Sequence, residues 1–441
     1  MKYKKSKYNI LLRDEKNNLV IGNTLTGVVQ KYASEIVDKI LECIEREKLD
    51  DSDYLCRILA KDGILIEESI DEDSIAEYQY NRHIYGEQEL SLIVVPTDSC
   101  NMRCVYCYEP HIEHYMDDEK VFTFIKFLKK RMRTASSLHI SWFGGEPLLC
   151  PEIIYKVMEQ AQKFGKIYKI PVSAHATTNG VLLTPEVFEN LYEYGVRSYQ
   201  ITIDGFCEQH NKFRPLVNGE NSFAIIESNL KYIKRSDRKV VVHIRYNITA
   251  DDIDNSYRFI DYLKETYLQD KRFLLNLYNV RNWGGEGVQK LSLSSYASLG
   301  KLVKYALSIG VNPIGPPFIE NKDMRCELAS INSYYINWDL SIHKCYSTVY
   351  NRDCSIGKIG LINSSGIVEI NQNKLSLWSV PPKREGKCDS CPFYAACMSF
   401  SCPYEYKINK NKDCSDFRSY VIYKIQTVGQ ITKEKSFEIL V

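Results

Sequence analysis

Apolar positions along this chain change period twice. Up to about residue 85, short alternating runs give way to helical spacing. Tyr8–Leu12 and Leu19–Ile21 flank the turn-prone run Asp14 to Asn18 and predict a β-hairpin. Ile36, Val37, Ile40, Leu41 and Ile44 then recur at helical spacing behind Ser34, a candidate N-cap. A second helix is expected after Asp50 to Asp53, with a break at Asp62-Gly63 and a returning strand over Ile64–Ile66. From Ser91 the pattern becomes strand and helix in alternation, with strands predicted at Leu92–Thr97, Leu138–Phe143, Val172–Thr177, Tyr199–Ile203, Val240–Tyr246 and Phe273–Tyr278. Between them lie amphipathic stretches such as Asp117–Met132, where Val121, Phe124, Ile125 and Leu128 share a face and acids at the start suit the helix dipole. Six βα units predict an α/β fold with a parallel sheet, whose ligands sit at the carboxyl ends of the strands.

Length and charge narrow the picture. The 441 residues are enough for two to three domains. Lys plus Arg (57) nearly cancels Asp plus Glu (56), so no basic field argues for nucleic acid or an anionic membrane surface; small or peptide partners are favoured. The basic start has no long apolar run behind it before Arg13 and Asp14, and no stretch approaches a membrane span. A soluble, cytoplasmic protein is expected. In such a chain, 15 cysteines point to metal or redox chemistry rather than disulfides. Cys43 and Cys56 lie on helical patterns and read as core, while Cys150 and Cys207 have no partner at ligand spacing.

The other eleven cysteines fall in two groups. Cys100, Cys104 and Cys107 follow the first strand of the alternating region at spacings that bring three thiolates to one centre. They leave a [4Fe–4S] cube one ligand short, with an iron open to chemistry. Three buried cysteines, or a zinc site short of its fourth ligand, are the plainer alternatives. Other polar groups fall at the following strand ends. Gly144-Gly145-Glu146-Pro147 allows close backbone approach to a ligand, and Thr177-Thr178-Asn179-Gly180 offers hydroxyl and amide groups. Thr202-Ile203-Asp204-Gly205 is followed by His210, Asn211 and Arg214, where bracing of the loop and substrate contact are equally open; Arg245-Tyr246-Asn247 ends the fifth strand. A second field holds Cys326, Cys345, Cys354, Cys388, Cys391, Cys397, Cys402 and Cys414, too many and too irregular for paired zinc elements.

Cys-x3-Cys-x2-Cys with Tyr106 before Cys107 resembles the signature of the radical S-adenosylmethionine (SAM) enzymes. The Gly-Gly-Glu-Pro element resembles that family's SAM amino-group loop, and TIDGFCEQHNKFR resembles its SxDG element. The C-terminal cysteines resemble the SPASM extension, and residues 1–85 resemble a winged-helix peptide-recognition element. Together these cover roughly residues 88 to 420, beyond the N-terminal element. The resemblance implies a partial (β/α)6 TIM barrel over 86–310, a winged-helix-like precursor-peptide recognition domain over 1–85 and a SPASM iron–sulfur domain over 311–441. It implies three [4Fe–4S] clusters and SAM. One cluster would be held by Cys100, Cys104 and Cys107, an outer one by Cys388, Cys391, Cys397 and Cys414, and an inner one by Cys326, Cys345 and Cys402. SAM contacts would come from Tyr106, Gly144, Gly145, Glu146, Thr178, Asn179, Asp204 and Asn247.

Two departures stand out. Ser401 stands where a cysteine is expected, with Cys402 next, and no fourth inner ligand is obvious, so Cys354 closes that cluster or an iron stays open. The implied function is a maturase of a ribosomally made precursor peptide that forms a cysteine thioether, with a flavodoxin or ferredoxin as electron donor. A carbon–carbon cross-link is the near alternative. A sulfatase-maturing enzyme is a third reading, but there an aspartate base follows the second SPASM cysteine, whereas here Tyr346 follows Cys345. A non-catalytic electron-transfer or peptide-binding protein would need no SAM pocket.

Overall fold

The alternating region after Ser91 folds around one parallel sheet. The computed structural model describes residues 1–441 except 47, 87, 251–252, 284, 286, 314–325, 361–366, 399–401, 409–412 and 436–441. Strands β1 (Glu89–Val94), β2 (Ser137–Trp142), β3 (Val172–Thr178), β4 (Val196–Thr202), β5 (Val241–Ile248) and β6 (Phe273–Asn279) each pair in parallel with the next in sequence. Helices return the chain between them, among them Asp118–Arg131, Pro151–Tyr168 and Pro185–Glu193. This is the strand order of a partial (β/α)6 TIM barrel. Side chains alternate across the sheet. On β5, Val242, Ile244, Tyr246 and Ile248 are buried, whereas His243, Arg245 and Asn247 are half-buried and point the other way. The helices start where capping allows: Asp117 accepts from the Lys120 amide at 2.9 Å, and Asn221 from the Ala224 amide at 3.0 Å.

All six expected strands are present with shifted ends. β1 stops at Val94, three residues before the expected end, since Pro96 has no amide to continue a ladder. The same sheet then takes in part of the C-terminal region. β7 (Ser333–Ile336) lies parallel to β1, with Ser333 opposite Ser91 and Ile336 opposite Val94. β8 (Ser341–His343), β9 (Gly357–Gly360) and β10 (Ile367–Ile370) extend it antiparallel.

Chain packing defines two units, whose boundaries differ from those read in the sequence. One combines Glu87–Gly315 with Ile331–Ser376; the other joins Met1–Gly86 to the described parts of Pro316–Ser330 and Leu377–Val441. Residues 311–441 are therefore divided, because β7 to β10 complete the barrel sheet while the later residues pack on the N-terminal module.

In that module the expected hairpin forms between Asn9–Arg13 and Leu19–Asn23, joined by Val29–Tyr32. Leu19 and Ile21 face a core built with Ile36, Val37, Ile40, Leu55 and Leu59 from the helices Val37–Ile44 and Tyr54–Lys61. Val20, on the opposite face, packs with Val421 and Ile425 of the helix Ser415–Ile431. One expectation is corrected: Ser34 does not cap, since a 3-10 turn, Ser34–Ile36, precedes the helix, and neither start has a side-chain cap. The expected returning strand is present at Leu65–Glu67, where it pairs with Lys2–Lys5 in a three-stranded sheet separate from the hairpin.

Candidate functional site

The three N-terminal cysteines lie just past the end of β1, on a loop held from two sides. On one side are the glycines after β2. The Gly145 amide donates to Thr97 O at 3.2 Å and the Glu146 amide to Ser99 O at 2.9 Å. Gly144 has φ +115°, and a Cβ there would lie 2.5 Å from Thr97 O; one on Gly145 would lie 2.2 Å from Ser99 O. Backbone therefore rests on backbone directly before Cys100, which only glycine permits. On the other side, Gly285 and Gly287 approach the cysteine loop equally closely, a Cβ meeting Cys107 O at 2.3 Å and Val105 O at 2.0 Å. The sequence reading missed this second clasp, although its signal, a glycine-rich run directly after the sixth strand, was there. Gly145→Ala is expected to destabilise the fold by about 1–3 kcal/mol, since the obstacle is main chain that has nowhere to go. A denaturation midpoint equal to that of the parent would contradict this.

A buried polar network joins the loop to the ends of β4 and β5. Tyr106 donates its hydroxyl to Asp204, and Arg214 Nη1 and Asn247 Nδ2 donate to the Tyr106 oxygen at 2.7 and 3.0 Å. The Asn247 amide donates to Asp204 Oδ1 at 3.0 Å, and Arg214 lies 3.9 Å from Asp204 Oδ2. The Asp204 amide donates to His210 Nδ1 at 3.1 Å, so His210 is held neutral; burial pushes it down to about 3. Burial raises the Asp204 carboxyl, with the Arg214 charge working against the rise. Tyr106, Asp204 and Asn247, expected as SAM contacts, are thus bound to one another through these atoms. Of the two roles left open for His210 and Arg214, bracing is the one the contacts describe.

Glu146 was also expected to help hold the SAM amino group, but its carboxylate turns inward. It accepts from Thr178 Oγ1 at 2.7 Å, the Asn179 amide at 2.7 Å and the Leu148 amide at 3.0 Å. The side chain is fully buried in these bonds. It ties the end of β2 to the end of β3. Asn179 Nδ2 in turn reaches Asn101 Oδ1 at 2.7 Å and Cys100 Sγ at 3.9 Å. Past the triad, Glu109 accepts from the Tyr350 hydroxyl, and burial pushes it up to about 7. Asp98 accepts from His114 Nδ1 at 2.8 Å, and the His114 ring stacks on Trp338 with centroids 4.0 Å apart.

The donor set fits an iron–sulfur cube better than a single ion. Around one zinc, with bonds of ~2.3 Å, ligand sulfurs sit roughly 4 Å apart. Among the described residues, only Cys43, Asp53 and Cys56 bring three ligand atoms within 4.8 Å of one another; the triad is more open. Asp53 already caps a helix and pairs with Arg46, and Cys43 and Cys56 are core residues as expected. Burial pushes the Cys100 and Cys107 thiols up to about 12 and raises Cys104. The Arg214 charge opposes the rise at Cys104, and Arg214 Nε is buried with no hydrogen-bond partner among the described residues. A buried guanidinium beside these sulfurs suits thiolates bound to metal.

The outer C-terminal set repeats that chemistry. Cys388 ends a short 3-10 turn, Cys397 ends the helix Tyr394–Cys397, and Cys414 precedes the helix Ser415–Ile431. Arg418 Nη2 donates to Cys391 Sγ at 3.5 Å, and its charge is felt at Cys414 and Cys397 as well. Its Nε too is buried without a partner among the described residues. Of the inner set, Cys326 and Cys402 belong to the N-terminal unit and Cys345 to the barrel unit; Ser401 lies outside the described residues. Cys354 is in the barrel unit, at the end of the turn Arg352–Cys354.

Comparison with known proteins agrees with this site. Residues 94–260 match the model of the Radical SAM superfamily. The radical SAM cyclopropyl synthase TigE of Paramaledivibacter caminithermalis is 25% identical over 271 residues, 52% of this chain and 55% of TigE. A GTP 3′,8-cyclase of Clostridium botulinum is 29% identical over 177 residues, 39% of this chain and 52% of the cyclase. The chain thus spans about half the length of these curated relatives. In fold it is similar to native anSMEcpe with bound AdoMet and Cp18Cys peptide (TM-score 0.57, 19% identity, 78% of this chain and 99% of that one). It is also similar to Streptococcus suis SuiB bound to S-adenosylmethionine (TM-score 0.52, 13% identity, 93% and 97%). No helix among the described residues is long and apolar enough to cross a membrane. The stretch that matches the Radical SAM superfamily model, residues 94–260, is the one that holds Cys100, Cys104 and Cys107 just past the end of β1 and the ends of β2 to β5.

Proposed function

We propose that this chain is a radical SAM peptide maturase that installs a cross-link, a cysteine thioether, in a ribosomally made precursor. The observation that carries the reading is the pairing of two cysteine sets, each beside an arginine whose buried Nε is unpartnered among the described residues: the buried Arg214 at the triad and the half-buried Arg418 at Cys391, Cys397 and Cys414. A protein that only cleaves SAM needs one such set. Similarity in fold to anSMEcpe, seen with a bound peptide, supports a peptide substrate.

Cys100, Cys104 and Cys107 would hold a [4Fe–4S] cluster with one iron free of protein ligands, which would supply the electron for reductive cleavage of SAM to a 5′-deoxyadenosyl radical. The chain's part is positional. Gly144, Gly145, Gly285 and Gly287 seat the loop, Asn179 and the Met102 amide (3.4 Å) donate to Cys100 Sγ, and Arg214 offsets thiolate charge. Making a thioether from a C–H and an S–H removes two hydrogens. One is taken by the 5′-deoxyadenosyl radical, and the other leaves as a proton and an electron. An exit for that electron is the role we assign to the outer set, Cys388, Cys391, Cys397 and Cys414, and to the inner set, Cys326, Cys345 and Cys402. A small donor such as a flavodoxin or ferredoxin provides the first electron.

Tyr346 disfavours the sulfatase-maturing alternative. Its ring packs against Phe143 and Tyr335, with centroids 5.3 and 5.5 Å away, and it carries no carboxylate to act as a base. Residues 1–85 are assigned the grip on the precursor's leader. Anaerobic reconstitution tests the proposal: about twelve irons per chain are expected if three four-iron clusters assemble. Reductant and SAM should then yield 5′-deoxyadenosine, and mass spectrometry of a co-expressed precursor should show a loss of two hydrogens at a cysteine. About four irons with bound zinc would remove the auxiliary clusters from the account, and no 5′-deoxyadenosine would remove the enzyme.

A further inference from the structure

The N-terminal sheet would end at Val29–Tyr32, but a distant part of the same chain covers that edge. The strand Glu434–Lys435 pairs with it in parallel, Glu434 opposite Lys31 and Lys435 opposite Tyr32, and the Ala33 amide donates to Lys435 O at 2.9 Å. Side chains set the register. Lys435 Nζ lies 2.5 Å from Asp62 Oδ1, and the other oxygen of this buried carboxylate accepts from the Tyr32 hydroxyl at 2.8 Å. Glu434 Oε2 accepts from Asn18 Nδ2 at 2.8 Å and lies 4.0 Å from Lys31 Nζ. The strand follows directly on the helix Ser415–Ile431, whose Val421 and Ile425 pack on the face of the same sheet.

An open sheet edge offers unpaired amides and carbonyls to any extended chain. Among the described residues the occupant pairs through two residues, held by the Lys435–Asp62 pair and the bonds of Glu434 to Asn18 and Lys31, all partly exposed, and a ladder this short is one that an incoming strand can displace. We propose that the 434–435 strand is an exchangeable plug: it occupies a peptide-binding edge and must leave before an extended segment with an acidic–basic pair, a lysine or arginine opposite Asp62, can dock in parallel on Val29–Tyr32. That the incoming segment belongs to the precursor rests on the function proposed above. The strand exchange itself does not.

A fluorescent synthetic peptide of residues 432–441, TKEKSFEILV, tests the exchange directly against the full chain and a chain ending at Thr432. The shortened chain should bind it at least about tenfold more tightly than the full chain. The full chain carrying Lys435→Glu, whose own plug is weakened without truncation, should bind the parent peptide more tightly than the unchanged protein. A peptide with the same Lys435→Glu change should lose binding. Equal affinity for the full and shortened chains, or no binding to either shortened or variant protein, would overturn the plug. A precursor that binds neither chain while the labelled peptide exchanges as expected would count against the leader grip alone.

Discussion

Cys104→Ala is expected to abolish formation of 5′-deoxyadenosine and to lower iron by about four atoms per chain, while leaving the fold in place. Cys104 is the middle member of the triad and the one whose thiol feels the Arg214 charge most directly among its neighbours. Its loss leaves two thiolates for a cube that already has an open iron, and two protein ligands do not retain it. The fold should survive because the loop is held by main-chain bonds that do not involve the sulfur. These are Arg103 N to Pro215 O and Val105 N to Phe213 O, both 2.9 Å, together with the glycine clasps. Anaerobic iron analysis, product chromatography and circular dichroism on one preparation check all three parts. A variant that still makes 5′-deoxyadenosine would show that the reaction does not run at this triad.

Arg214→Leu is expected to be the most destabilising single change in the barrel, at about 3–5 kcal/mol. Arg214 and Asp204 are almost fully buried, so removing the guanidinium strands a carboxylate away from water. The variant also takes a donor from Tyr106, next to Cys107, so weaker iron retention should accompany the loss of stability. Tyr106→Phe provides the comparison. It removes one hydroxyl from the same network and should cost only about 1–3 kcal/mol. Denaturant midpoints for the two variants order the effects, and an Arg214→Leu protein as stable as Tyr106→Phe would show that the ion pair does not hold this site together.

Much of the site was legible because it is local in sequence. Three cysteines within eight residues, glycines after the second strand, and an acid after the fourth lie where period and spacing expose them. Their detailed partners were not. Glu146 was read as a ligand contact because it sits beside glycines at a strand end, yet its carboxylate bonds to Thr178 and Asn179 across the sheet. Gly285 and Gly287 escaped notice because their glycine-rich run after the sixth strand signals a close approach without naming its partner, and that partner, the cysteine loop about 180 residues earlier, is set only by the fold.

By itself the sequence determined the βα alternation, the six strands and the cysteine spacings, since each depends on side-chain period or on residues that are close along the chain. Tertiary structure alone decided where residues beyond 311 belong. β7 completes the edge beside β1, and Val421 and Ile425 cover the hairpin face presented by Val20. A strand edge or an apolar face specifies only that something must cover it, and which distant segment does so is settled when the whole chain has packed.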